Sequence, residues 1–139
     1  MARRSLFIVI FLLLSAVMAG TALAQDPSIT VTSPLPNTVI TNPGATQTIT
    51  GTISNPPANG SILIRAYQNN GVMIGQNALP PGVAAGNWNT ILDVVVDTNQ
   101  LGLPGSIVAV VIDEMGTQLP ATQVTIPVVW GAAAPPPPT

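Results

Sequence analysis

The chain has 139 residues, including 15 prolines and 12 glycines, and contains neither cysteine nor histidine. This excludes disulfide bonds, thiolate chemistry, zinc sites built from the usual ligands and acid–base catalysis by imidazole. Beyond residue 24, one arginine stands against five acidic residues, a formal net charge of −4. A nucleic-acid partner is excluded as well, because such binding requires several Lys or Arg side chains at the phosphates.

The first 24 residues have the organisation of a signal peptide. Arg3 and Arg4 precede an apolar run over 6–17, and Ala22 and Ala24 supply the small residues of a cleavage site. We therefore predict cleavage after Ala24 and a secreted or cell-envelope location. The alternative is a retained leader, which would be the chain's one contact with a membrane. Its apolar run is short for a span that needs about 20 residues.

From Ser28 to Trp130, short runs rich in β-branched residues alternate with Pro, Gly and Asn clusters, and no segment has a helical period. This spacing is typical of a β-sandwich or barrel. Alternation within the runs predicts seven strands, at 29–33, 47–54, 61–68, 72–75, 87–96, 107–112 and 122–130. The predicted domain covers residues 25–131, and an Ala/Pro-rich tail or linker follows at 132–139.

Several residues make these strand predictions more specific. Asn70-Gly71 predicts a two-residue hairpin turn, because both residues accept positive φ. Trp88, on the longest predicted strand, is the candidate core aromatic. The run 107–112 is apolar at nearly every position, which predicts a central strand covered on both faces or lying at an interface. Pro127 lacks an amide hydrogen, so the last strand should lie at an edge or contain a break.

Three segments carry a resemblance to a known family: residues 29–34 (ITVTSP) with Pro36-Asn37, residues 49–52 (ITGT) and residues 124–128 (VTIPV). The chain from Ser28 to Trp130 thereby resembles bacterial immunoglobulin-like domains associated with spore-germination proteins. Membership in another bacterial immunoglobulin-like family is the alternative. The resemblance implies an all-β, seven-stranded antiparallel immunoglobulin-like sandwich without disulfides, acting outside the cytoplasmic membrane as an accessory module. It implies no catalytic or ligand-binding residue at any numbered position.

The candidate contact surface combines outward residues of the strand 61–68 with residues of the strand 107–112. Its members are Leu63, Arg65, Tyr67, Ile107, Ala109 and Val111. We expect recognition through a sheet face or a strand edge, where backbone groups supply hydrogen bonds and outward side chains select the partner. That partner is a protein or a cell-surface glycan.

Four acidic residues, Asp93, Asp97, Asp113 and Glu114, are the candidates for any other chemistry. They could serve a calcium site or a glycosidase pair. However, no D-x-D-x-D-G loop is present, and we interpret them as solvated charges that end strands. We therefore predict no catalytic residues, metal or cofactor.

The leading functional prediction is an exported, non-enzymatic binding or structural module of the cell surface. Two alternatives make distinct predictions about side chains. A carbohydrate-binding module requires exposed aromatic rings, for which Tyr67, Trp88 and Trp130 are the candidates. A small extracellular hydrolase requires a cleft that brings carboxylates together.

Overall fold

The computed structural model describes residues 25–131 and Pro138, so the predicted leader and most of the tail lie outside the described residues. The described residues form eight strands and two short 3-10 turns, at Thr98–Gln100 and Pro120–Thr122. The strands are β1 (Ser28–Ser33), β2 (Thr38–Ile40), β3 (Thr46–Ser54), β4 (Ser61–Tyr67), β5 (Met73–Ala78), β6 (Gly86–Asp93), β7 (Pro104–Ile112) and β8 (Val124–Trp130). Within this part of the chain, no helix has the length and hydropathy of a membrane span.

The strands form two sheets whose inner faces enclose one core. The smaller sheet has the order β1-β3-β6 and the larger has the order β2-β8-β7-β4-β5. All neighbouring pairs are antiparallel except β2 and β8, which are parallel. The predicted all-β sandwich is confirmed at this level. The structure differs from the prediction of seven antiparallel strands in having eight strands and one parallel pair.

Both differences arise from β2, which the sequence pattern did not reveal. The turn residues after Ser33 indicated the end of an element, and a three-residue strand is too short to show an alternation. In the structure the chain crosses from one sheet to the other within this segment. Val39 then aligns with Val129 of β8, and the amide N–H of Asn37 donates to the carbonyl oxygen of Pro127 at 2.7 Å.

Alternating side chains build the core, as the strand pattern predicts. On β3 and β4 the residues expected to face inward are buried, and those expected to face outward are exposed or half-buried. The largest fully buried side chains are Trp130, Ile49, Ile62, Ile64, Leu92, Ile107, Val111 and Val128. Each such aliphatic side chain contributes about 1.5–3 kcal/mol when removed from water.

Each tryptophan packs closely over a glycine of its own sheet. A Cβ at Gly51 would lie 2.5 Å from Cζ2 of Trp88, and a Cβ at Gly105 would collide with the indole nitrogen of Trp130. The two rings differ in their polar contacts. Nε1–H of Trp130 donates to the carbonyl oxygen of Tyr67 at 2.8 Å, whereas Nε1 of Trp88 is buried with no partner among the described residues.

The hairpin between β4 and β5 has a different loop from the expected one. The amide N–H of Gly71 donates to the carbonyl oxygen of Gln68 at 2.9 Å, and that of Gln68 donates to Val72 at 3.1 Å. The loop therefore has three residues. Only Gly71, with φ of 83°, adopts the left-handed conformation, whereas Asn70 does not. A glycine at this last loop position is typical of three-residue hairpins.

The strand expected at 87–96 ends earlier, at Asp93, and β3 and β7 are both longer than β6. Beyond Asp93 the chain turns toward the other sheet, where the amide N–H of Val95 donates to the carbonyl oxygen of Ile74 at 3.1 Å. Alternating burial continues through this turn, since Val94 is buried and Val95 is exposed. The sequence pattern therefore does not mark the place where sheet pairing stops.

Pro127 does not place β8 at a sheet edge, because β2 covers the strand from Val128 onward. The carbonyl oxygen of Pro127 points toward the β2 side, where Asn37 donates to it. In an antiparallel strand the nitrogen and carbonyl of one residue point to the same side. The missing amide hydrogen of Pro127 therefore removes no hydrogen bond from the pairing with β7.

Candidate functional site

The outer side of the five-stranded sheet carries a mixed apolar and basic surface, here called the contact face and defined as Leu63, Arg65, Tyr67, Val108 and Val110. Register places Leu63 opposite Val110 and Arg65 opposite Val108 on the adjacent strand. The three β4 residues and Val108 are half-buried. Val110 is only 3% exposed and does not belong to the core cluster, so it faces outward but offers almost no surface to a partner.

Three of the predicted contact residues lie elsewhere. Ile107, Ala109 and Val111 have 0% exposure and belong to the core cluster, so no partner of the folded chain can reach them. The sequence offered no way to choose between the two faces of this strand, because both are apolar. The outward positions belong to Val108 and Val110, which the sequence reasoning missed. Their cross-strand pairing with Leu63 and Arg65 identifies them.

Arg65 is the single basic residue after the predicted leader. Its side chain is half-buried between apolar neighbours on β4 and β7, and its Nε–H donates to Oε1 of Gln76 at 3.2 Å. This partner is a neutral amide rather than a carboxylate. A guanidinium also offers further N–H donors in a planar fork that matches a carboxylate. The contact face can therefore bind an acidic group flanked by apolar side chains.

Two of the four candidate acidic residues, Asp97 and Asp113, have local structural contacts. Oδ1 of Asp113 accepts the amide N–H groups of Met115 and Thr117, both at 2.9 Å, within the turn after β7. Oδ2 of Asp97 accepts Nε2–H of the buried Gln68 at 2.7 Å. No group of three or more residues able to hold a metal ion occurs in the part of the chain that the structure describes.

The tryptophan rings do not reach the surface, with 4% of Trp88 and 0% of Trp130 exposed. Trp88 occupies the core position predicted for it, and Trp130 lies in the core as well. Tyr67, on the contact face, is half-buried. The exposed tryptophan rings that a carbohydrate-binding module would use for stacking are therefore not available here.

Two surface grooves lie at different sites on the described domain. One, of about 380 Å³, is lined by the loop 79–85 together with Asn87, Trp88 and Asn89. The other, of about 410 Å³, is lined by Asp26, Pro27, Leu119, Ala121 and Thr122. The first contains no carboxylate and the second contains one. Neither groove brings together the carboxylate pair that the hydrolase alternative requires.

The outer side of the three-stranded sheet is uncharged over most of its area and rich in hydroxyl groups. Thr30 and Thr52 form a side-chain hydrogen bond of 2.6 Å, and Thr32 and Thr50 form one of 3.0 Å. Thr48 lies on the same face and is exposed. We call this surface the hydroxyl face, defined by these five threonines. It differs from the contact face in having neither a basic residue nor an aromatic ring.

Comparisons with known proteins give little further information. No protein-family model matches the sequence, and no curated protein is similar to it. Among solved structures, the chain is similar to a β-glucuronidase from glycoside hydrolase family 2, with 10% sequence identity and a TM-score of 0.43. The match covers 80% of this chain and 12% of the chain of that enzyme.

Proposed function

We propose that the chain is an exported, non-enzymatic immunoglobulin-like module that binds a protein partner at the bacterial cell surface or envelope. The division of the first two strands between the sheets supports the immunoglobulin-like assignment, since β1 joins the smaller sheet and β2 joins the larger one. The small domain also has an apolar core drawn from both sheets, which needs neither disulfides nor metals to fold.

The observation that carries the binding proposal is the position of Arg65. It is the sole cation of residues 25–139, and it lies half-buried beside Leu63, Tyr67 and Val108 of the contact face. Arginine beside a tyrosine and aliphatic side chains is a common composition for the centre of a protein interface. The partner surface that fits it presents a carboxylate surrounded by apolar side chains.

The non-enzymatic part of the proposal is supported by the contacts of the acidic residues. The carboxylates of Asp97 and Asp113 stabilise local structure through hydrogen bonds, and neither lines a groove. A general acid or base must lie within reach of a bound substrate. These two side chains are therefore better suited to a structural role.

Binding can be tested with isolated bacterial envelope fractions and the purified chain 25–139 in a sedimentation assay. We expect Arg65→Glu to weaken binding by about 10-fold or more, because a charge-assisted hydrogen bond is replaced by repulsion. Thr48→Glu places the same side chain on the opposite sheet, with a net charge change of −1 instead of −2, and should leave binding within about twofold of wild type. Equal effects of the two variants, or no binding by the wild-type chain, would contradict the proposal.

The carbohydrate-binding alternative is supported by one observation, the hydroxyl face. Hydroxyl groups and uncharged surface suit hydrogen bonding to a neutral glycan. Binding of the same two variants to insoluble polysaccharide distinguishes the two alternatives. Retention of the wild-type chain that is lost in Thr48→Glu and kept in Arg65→Glu would favour a glycan ligand over a protein partner.

A further inference from the structure

The edge strand β6 directs alternate backbone groups away from its sheet. In an antiparallel ladder each residue points both N–H and C=O to one side, and successive residues alternate. The carbonyl oxygen of Ile91 points away from β3, because it accepts Nδ2–H of Asn77 from β5 at 2.7 Å. By the same alternation, the N–H and C=O groups of Asn87 and Asn89 also point away from β3.

The outward backbone groups of this edge form hydrogen bonds with β5 only toward the C-terminal end of β6. Asn77 covers it at Ile91, and further along the chain Val95 bonds to Ile74 of β5. At Asn87 and Asn89 no backbone or side-chain group of residues 25–131 takes the outward positions. Two N–H donors and two C=O acceptors thus remain available at the spacing of a strand.

The groove of about 380 Å³ lies along this uncovered part of the edge. Its lining includes Asn87 and Asn89, which face outward, and Trp88, which faces the core, so it follows the edge rather than either face. The loop 79–85 forms the opposite wall. This loop is held in place because the N–H groups of Gly82 and Val83 both donate to the carbonyl oxygen of Gly60, at 2.9 and 3.2 Å.

We propose that this groove binds an extended segment of another polypeptide, which adds to β6 as a fourth strand of the smaller sheet. The open edge offers backbone N–H and C=O groups at the spacing of a strand. An extended peptide presents the complementary groups at the same spacing, so it can pair with this edge. The groove contains no charged side chain, so the peptide needs no particular charge. Its alternate side chains would face the hydroxyl side of the sheet and the apolar side near Trp88.

Two other occupants fit less well. The tail at 135–138 is four consecutive prolines, which lack the N–H groups that the edge carbonyls need. A second folded copy would bring its own loop 79–85 to the same place, whereas a single extended segment brings no such loop. The proposed site lies on a different sheet from the contact face and does not depend on it.

The test uses a capped hexapeptide with the sequence of β1, Ser-Ile-Thr-Val-Thr-Ser. This sequence already pairs at the opposite edge of the same sheet, so its alternation matches the sheet's two faces. Titration into the ¹⁵N-labelled chain 25–139 should give saturable amide shifts centred on Asn87 and Asn89. A peptide N-methylated at alternate residues should bind at least about fivefold more weakly, because its hydrogen bonds to the edge are lost.

A protein variant provides the second arm. Asn89→Pro removes an N–H that the pairing with β3 does not use, and edge strands tolerate proline. We expect this variant to bind the peptide about fivefold more weakly than the wild type, while its circular dichroism spectrum stays unchanged. If the variant does not fold, the N-methylated peptide still decides the question. Arg65→Glu should bind the peptide as the wild type does.

Three results would overturn the proposal. These are equal binding of the N-methylated peptide, amide shifts centred away from β6, and no binding at millimolar peptide. Sedimentation of the chain without peptide could give a fourth result against the proposal. A dimer that dissociates in Asn89→Pro would identify a second copy as the occupant instead of a peptide.

Discussion

The two tryptophans form a matched pair for testing how the core is held together. Both are buried and both pack over a glycine, but within residues 25–131 only the indole N–H of Trp130 has a hydrogen-bond partner. Replacing each with phenylalanine removes the same atoms. We therefore expect Trp130→Phe to destabilise the fold considerably more than Trp88→Phe.

The expected difference follows from the hydrogen bond. Each substitution loses roughly 40 Å² of buried ring, which corresponds to about 1 kcal/mol of unfolding free energy. At position 130 the carbonyl oxygen of Tyr67 also loses its donor, which costs about 1–3 kcal/mol more. At position 88 a buried, unpaired donor is removed, which returns about 1–3 kcal/mol. Trp130→Phe should thus cost about 2–4 kcal/mol, and Trp88→Phe should be near neutral or stabilising.

Urea unfolding followed by far-ultraviolet circular dichroism measures both values on the chain 25–139. The fluorescence of the remaining tryptophan gives a second probe of whether unfolding is two-state. Equal destabilisation by the two substitutions, or a larger loss at position 88, would refute the reasoning from the indole hydrogen bond. The comparison requires that both variants keep the wild-type slope of unfolding free energy against urea concentration.

Three further outcomes are expected. Gly51→Ala should destabilise the domain by about 2–4 kcal/mol, because its Cβ would collide with the neighbouring strand and with Trp88. Gly44→Ala is the control, since the new Cβ has open space around it, and it should change the midpoint of urea unfolding little. Asp113→Ala should lower the stability by about 1–2 kcal/mol and the melting temperature with it, while the asparagine variant, which keeps an acceptor oxygen, should retain most of it. Mass spectrometry of the chain secreted from a bacterial host should show an N-terminus at Gln25, and Ala22→Leu should block this processing. An intact leader on the secreted wild-type chain would contradict this last prediction.

The face that each side chain occupies was predictable where apolar and polar residues alternate clearly. On β4, Ile62 and Ile64 face the core and Arg65 faces outward, as their order in the sequence indicates. On β7 the same reasoning failed, because a strand that is apolar on both faces has no polar residue to mark the outside. The predicted contact surface therefore included Ile107 of the core, and Val108 was missed.

The prediction of a sheet edge or a break at Pro127 depended on contacts that the local sequence does not show. Pro127 lacks an amide hydrogen and so predicted an edge or a break, yet the three residues of β2 cover β8 from Val128 onward. The open part of β6 likewise depends on Asn77, which is distant in sequence and covers Ile91 but not Asn89. Neither relationship leaves a signal in a local pattern of residues.

Composition and alternation alone were enough to indicate an all-β domain with a single apolar core and no histidine, cysteine or disulfide. These are properties of individual segments, since each strand displays its own two faces in its own residues. Which strands are neighbours, which edges stay open and which side of β7 meets solvent depended on contacts between segments far apart in the chain. Such contacts form only when the sheets assemble, and the two candidate binding surfaces, the contact face and the β6 groove, exist only in that assembled state.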